Sequence, residues 1–496
     1  MFDGTPQLMA TAPRQPDSVV DAGAADDDER GSLVDLSAWL RFSPPWLASA
    51  LLHMLVVLAL GLWLVSGQRE EPLVLDAQYA EEVGEQLIEE PLNLDLDPEL
   101  EVEEQTLSIN PLPQVDDPLA APELSLVAPN PTFSTLSSTA DQVGVALTGR
   151  EPGMKAVLLK AYGGTASTEQ AVLDGLRWLE RNQRKNGSWS LKGPYTDGGT
   201  TENIEAATAM ALLAFQGAGY THQDPPGTEF YGVVSDGWDR LLQSQDDAGN
   251  FFRANGFNHA LYTQAQCTIA LCELYAMTKD EKLREPAQRA VDYCVRTQSP
   301  TGGWRYIPRE GADTSVTGWV VMALKSAQMA GLDVPSEAFF KVGQFLDSVQ
   351  RQEGSRYAYQ PRDSPKLSMT AEGLLCRQYL GWGRDDDRLR RGVYYLLENL
   401  PRWTNGRRDV YYWYYATQVC HHMEGDEWTK WNNVTRQLIP EHQVKRGRER
   451  GSWDTKIDQS HGTTGGRLYT TCLSIYILEV YYRHLPIYQQ GLLSSF

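Results

Sequence analysis

The chain has 496 residues, with 44 Lys+Arg against 65 Asp+Glu and a formal charge of −21. That length suits one large domain or two to three ordinary ones, and the charge excludes a chain-wide basic footprint for nucleic acid. A hydrophobic content of 42% predicts that most of the chain folds, and six cysteines in this length exclude a disulfide scaffold.

The acidity is concentrated near the N-terminus. Residues 1–69 carry a net −4, residues 70–149 carry eighteen acids and no Lys or Arg, and residues 150–496 come to +1. Residues 1–45 read as a disordered N-terminal segment. Residues 46–66 follow, from Trp46 to Ser66, with no formal charge. About 20 apolar residues span a bilayer core, and Trp46 and Trp63 stand where aromatic rings favour the interface. A cleaved signal starts nearer residue 1, so a retained single-pass helix in the cell membrane is the expectation; a buried helix is the other alternative. Arg30 and Arg41 before the span, against Arg69 after it, favour the N-terminus inside and the C-terminal body on the extracytoplasmic side.

Residues 67–166 read as an acidic, proline-containing linker, disordered and stalk-like. Like charges around Glu81 to Glu104 extend its first half, and Pro111 to Pro131 stiffen its second. A solvated tether and an acidic docking strip are both open readings.

From residue 167 an internal repeat sets the fold. Gln183 to Trp189, Gln245 to Phe251 and Gln298 to Trp304 each read Gln-x3-Gly-x-aromatic, with looser copies at Gln350 to Tyr357 and Gly451 to Trp453. An amphipathic helix precedes each copy, as in 170–180, where Val172, Leu176 and Leu179 share a face. Its counterparts are expected near 231–245, 285–298, 335–350, 385–399 and 427–439. A more uniformly apolar helix follows each copy, near 202–216, 260–277, 313–330, 367–380, 409–423 and 468–484, and such a helix is buried all round. Six outer and six inner helices predict an all-α (α/α)6 toroid over 167–488, followed by a C-terminal tail at 489–496. In the motif, glycine permits the turn, the aromatic plugs the gap to the next pair, and glutamine bonds loop backbone.

These segments resemble the QW repeats of triterpene (squalene, terpenoid) cyclases and the related repeats of protein prenyltransferase β subunits. The last helix, Gly465 to Pro486, resembles that of membrane-anchored bacterial repeat proteins of this kind. The resemblance implies an enzyme acting on an isoprenoid lipid. The same toroid hosts other functions, so a non-catalytic envelope binding or scaffolding module and a glycan-active toroid stand beside it.

In class II terpenoid cyclases an Asp-x-Asp-Asp-Thr stretch opens an inner helix and its central acid protonates the polyene. By that resemblance Asp313 and Thr314 match the final Asp-Thr, Glu310 the first acid, and Ala312 the proton donor. Alanine donates no proton, so Asp313 or Glu310 would have to substitute. A buried carboxyl has the raised pKa for that, whereas a capping role for Asp313 needs only its side-chain oxygen. Prenyltransferases hold zinc through Asp, Cys and His, but here the comparable helix begins Asp409-Val-Tyr411, with tyrosine in place of the thiol. His421 and Cys472 are the remaining weak metal candidates; neighbouring histidines on a helix diverge by roughly 100°. No cofactor is implied.

Trp319, Tyr411, Trp413 and Tyr414 are candidate ligand-binding aromatics, able to face a cation or a sugar or simply to fill the ring. Glu202, Glu205, Asp313, Glu372 and Asp409 lie near inner-helix N-termini and would meet at one rim, as acid–base groups, as a cation site or as helix caps. Three arrangements separate the readings. A cyclase needs a deep apolar cavity walled by Asp313 or Glu310. A binding module has a ring plugged by side chains such as Trp413 and Met322. A glycan enzyme has an open, carboxylate-lined cleft with exposed aromatic platforms. Phosphate-loop, His-Glu-x2-His, Gly-x-Ser-x-Gly and thioester motifs are absent from the sequence.

Overall fold

The structure is a computed structural model that describes residues 53, 54, 56, 147–252, 259–483 and 485–488. The chain divides into two compact units, residues 1–124 and 125–496. The stretch read as membrane-spanning lies outside the described residues apart from His53, Met54 and Val56, which are helical. Among the described residues no helix is long and apolar enough to cross a membrane. Residues 1–45, read as disordered, residues 67–146 of the span read as linker, and the expected tail at 489–496 likewise lie outside them.

The helices, in chain order, are α1 (Pro152–Ala161), α2 (Ala166–Arg181), α3 (Ile204–Gly217), α4 (Tyr231–Leu242), α5 (Ala260–Thr278), α6 (Glu281–Arg296) and α7 (Thr314–Ala330). There follow α8 (Ser336–Val349), α9 (Leu367–Tyr379), α10 (Asp387–Glu398), α11 (Val410–Met423), α12 (Gly425–Glu441), α13 (Gly462–Leu478) and the single turn α14 (Val480–Arg483). A two-residue hairpin, β1 (Gln350–Arg351) and β2 (Arg356–Tyr357), joins α8 to α9 with Gln350 opposite Tyr357.

Helices α3, α5, α7, α9, α11 and α13 pack each on the next, and α13 packs back on α3, so the inner ring closes. The even-numbered helices from α2 to α12 lie outside it, each bonded into its hairpin partner by packing. The outer helices bury one stripe, as α2 does with Val172, Leu176 and Leu179, whereas every residue of α11 is buried. That is the difference expected between a helix with one apolar face and one enclosed on all sides. The (α/α)6 toroid is therefore present.

The repeat motif locks one hairpin to the next. Gln298 Nε2 donates to Gly302 O at 2.8 Å within its loop and to Ala338 O at 2.9 Å on the following outer helix. Gln183 does the same with Gly187 O and Val233 O. Trp304 and Trp189 are fully buried, and their indoles donate back to Cys294 O and Leu179 O, capping the outer helix that precedes them. Gly302 sits at φ +96°, and a Cβ there would run into the Lys341 carbonyl of α8. Close approach therefore requires glycine on two counts. The last copy closes the circle. Gln443 Nε2 donates to Gly451 O and to Ala171 O of α2, and Gly451 abuts the Asp174 carbonyl.

Two expectations are corrected. The span read as linker, 67–166, contains α1 and a buried lead-in at Leu147 to Arg150. Leu147 and Leu158 join the core and Arg150 pairs with Glu273 at 2.8 Å, which offsets the chain entropy that composition alone weighed. The last inner helix begins at Gly462 rather than near 468, with a non-helical residue at Gly466 (φ +76°). Only glycine fits there, against the backbone of Gly198 and Gly199.

Candidate functional site

Because the hairpins repeat in one sense, the inner helices are parallel and all their N-termini share one rim. Asn203, His259, Asp313, Lys366, Asp409 and His461 occupy the N-cap positions. Asp313 is fully buried and accepts from Val316 N at 2.8 Å, which caps α7. Its other oxygen accepts from Tyr359 OH at 3.0 Å and faces Arg305 at 3.7 Å. Burial raises this carboxyl to about 6, against the opposing pull of the cap, the phenol and the guanidinium. Tyr359 OH in turn meets Tyr306 OH at 2.5 Å, and Tyr306 lies against the His259 ring. These phenols are half-buried, so the acid reaches the rim surface through them.

A second acid lies deeper. Glu372 on α9 is fully buried, and burial pushes its carboxyl well above the ordinary range, with Asp313 adding to the rise. It accepts from Tyr411 OH at 3.2 and 3.3 Å. Tyr411 OH shares a 2.5 Å bond with Ser315 Oγ, which accepts from Tyr262 OH at 2.6 Å. A chain of hydroxyls thus runs from the half-buried Tyr262 to Glu372. Gly318 makes room for it, since a Cβ there would strike the Glu372 carboxylate.

The third acidic place is a pair. Asp409 and Asp458 lie on facing backbone, and burial together with the Asp458 charge raises Asp409 to about 7. Asp409 caps α11 through Tyr412 N, and Asp458 accepts from His461 N and Tyr469 OH.

The expected rim is met in part. Asp313 and Glu372 interact, and Tyr411 joins them. Asp409 instead pairs with Asp458, an acid that the sequence analysis did not single out; its place two loops away gave no periodic signal. Glu202 is committed to its own loop, accepting from Ser190 Oγ, Leu191 N and Asn203 N. Glu205 is half-exposed in the first turn of α3, and Glu310 is exposed on a turn. Trp319 and Tyr414 stack in the ring interior with centroids 5.8 Å apart; Tyr415 closes on both, and Tyr476 closes on Tyr414. Trp413 is fully buried.

His421 is enclosed by Tyr162 and Trp428 at the far end of α11, and Cys472 is buried on α13 with its thiol pushed up by burial. Among the described residues no three His, Cys, Asp or Glu side chains gather as a metal site.

At the opposite mouth, where the inner helices end, a cavity of about 20 Å³ is lined by Glu273, Trp319, Met322, Lys325, Tyr414 and Arg483, among others. That is room for about one water. Above it Arg150 and Arg483 share Glu273, at 2.8 and 3.5 Å, and Arg483 also meets Glu479 at 3.2 Å. Burial opposes the Arg483 charge, but Glu273 and Glu479 outweigh it and hold this guanidinium above its ordinary value.

No family model matches the chain. Squalene–hopene cyclase of Bradyrhizobium diazoefficiens is 28% identical over 155 residues, 30% of this chain and 21% of that protein. The chain resembles that cyclase, and it spans about a fifth of the relative's length. Among solved structures, type II terpene cyclase MstE from Scytonema aligns with a TM-score of 0.45 at 13% identity, over 66% of this chain and 98% of that one. An α-1,6-mannanase of Salegentibacter aligns with a TM-score of 0.45 at 11% identity, over 64% and 99%. The resemblance in sequence is thus to a terpenoid cyclase, and the toroid itself is read from the closed ring of helices described above.

Proposed function

We propose that the toroid is a binding or scaffolding module of cyclase-like build, held at the cell membrane by residues 46–66 with the ring on the extracytoplasmic side. The observation that carries this reading is the filled axis. Trp319, Tyr414, Tyr415 and Tyr476 occupy the space in which a polyene would have to fold, and the cavity beneath them is the size of one water. Asp313, the acid nearest in sequence to the proton donor of the cyclases, faces phenols at the rim and caps its helix.

The test is incubation of the full chain with squalene and with polyprenyl diphosphates. The expected result is no cyclised or transferred product, with unchanged folding in Asp313→Asn. Product that disappears in Asp313→Asn would overturn the module reading and restore a lipid enzyme.

A second reading, a glycan ligand at the N-terminal rim, is favoured by one specific arrangement. Tyr306 and Tyr359 are half-exposed phenols bonded to an acid that stays partly protonated near pH 6, and aromatic faces beside a carboxyl suit a sugar ring. Retention on immobilised oligosaccharide that is lost in Tyr306→Ala would favour it. Equal retention of both proteins would dismiss it.

A further inference from the structure

The toroid is nearly neutral as a whole, yet one groove on its outer surface is lined by five cations and no acid. Arg181 at the end of α2 and Lys445, Arg446, Arg448 and Arg450 in the α12–α13 loop surround a space of about 640 Å³, with Asn182, Pro194 and Gly447 completing the wall. The loop reads Lys-Arg-Gly-Arg-Glu-Arg, and its one acid, which lies 3.9 Å from Arg448, does not line the groove. Glu449 is buried, where it accepts from Trp178 Nε1 at 2.9 Å and Thr196 N at 3.0 Å. Gly447, at φ +79°, makes the turn that splays the remaining side chains outward.

The cations are held close despite their repulsion. Arg181 donates to Arg450 O at 2.5 Å, and Arg448 donates to Pro194 O across the groove. Burial and the neighbouring Arg450 charge lower Arg181 from its ordinary value and outweigh the opposing pull of Glu180, Asp174 and Glu449. No carboxylate lines this groove. Lys445 also borders a second groove of about 690 Å³, whose lining adds Arg436 and one acid, Glu441.

We propose that this groove binds an extended, soluble, phosphate-bearing polymer. Four of its five cations are arginines, whose planar forks pair bidentately with phosphate oxygens. The site is concave, and none of the exposed large apolar side chains among the described residues lines it, which suits a strand lying in a channel rather than a bilayer surface. The proposal stands independently of the rim and of the filled axis.

The experiment uses the full chain in neutral detergent micelles, titrated with long-chain inorganic polyphosphate and read by fluorescence anisotropy over a range of salt. Wild type is compared with Arg446→Glu/Arg450→Glu, two exposed side chains outside the capping and core contacts, and with Arg284→Glu/Arg390→Glu as a charge-matched control. The expected result is a loss of about tenfold or more in affinity in the groove variant, with a salt slope lower by about two, and no comparable loss in the control. Equal loss in both variants would reduce the effect to net charge and overturn the site. Equal binding of polyglutamate would overturn the preference for phosphate. Retention on phosphatidylglycerol vesicles with no polyphosphate binding would overturn the soluble polymer in favour of a membrane surface. If the reversed-charge pair melts early, Arg446→Gln/Arg450→Gln carries the same comparison.

Discussion

The two mouths of the ring give their buried acids different partners. At the C-terminal mouth Glu273 and Glu479 lie beside Arg150 and Arg483 and face cations at 2.8 to 3.5 Å. At the N-terminal rim Glu372 is buried to the same degree, and its hydrogen-bond partner is the phenol of Tyr411. Burial is common to both and raises Glu372 and Glu479 alike, Glu479 to about 8 against the pull of Arg483, so the two mouths differ in the partners they offer rather than in the direction of the shift. One mouth is crossed by guanidinium–carboxyl contacts, and the other by phenol–carboxyl hydrogen bonds.

The largest expected effect comes from breaking the guanidinium contacts. Arg483→Met removes the buried cation that Glu273 and Glu479 share and is expected to cost about 3–5 kcal/mol, read by urea denaturation at pH 7. A cost under about 1 kcal/mol would mean that the quartet is not the strong end.

Next is the pH dependence of the rim. Asp313, raised to about 6, and Asp409, raised to about 7, bind protons more tightly folded than unfolded. Their contribution is fully present below an ordinary carboxyl value near 4 and is lost as pH rises through 6 and 7. Thermal stability should therefore fall across that window, and Asp313→Asn, which keeps a capping side chain, should flatten the slope. A stability that climbs throughout from pH 4 to 7 in wild type and variant alike would contradict the assignment.

A smaller effect is expected from Tyr359→Phe. It removes a hydrogen bond to the Asp313 carboxylate, worth about 1 kcal/mol, and should move that carboxyl further up, seen by carboxyl NMR titration. Smallest of all is Glu372→Gln. If the phenol-bonded acid is neutral at pH 7, the amide replaces it for less than about 1 kcal/mol, where the same change at Glu273 costs several times more. Similar losses at both positions would erase the contrast between the mouths.

The ring was legible because its signal is periodic. Glutamine, glycine and aromatic recur at fixed offsets, and each has a local reason: a bond, a close approach and a buried indole. The closing copy was only half legible. Gln443 stands eight residues before Gly451 rather than four, since the basic loop is inserted between them. Asp313 was legible as a cap and as a raised acid, both of which it is. Asp458 and Tyr359 were not, because loop residues become partners only when the chain returns to the rim. Arg150 was missed because its environment lies in helices more than sixty residues away, and no local composition predicts a charge that finds a buried carboxylate there.

Arg150 also has a mechanical consequence. The chain leading into the toroid passes through Gly149, whose missing side chain lets the backbone lie against the Tyr482 carbonyl, and then through Arg150. Any pull from the N-terminal direction reaches the ring at that point. Its load falls on Glu273 and on the Gln216 and Arg483 carbonyls, groups on three different helical segments, before it reaches α1. Tension would thus be shared around the ring, so that yielding means extracting one guanidinium from the mouth rather than peeling one helix from its neighbour.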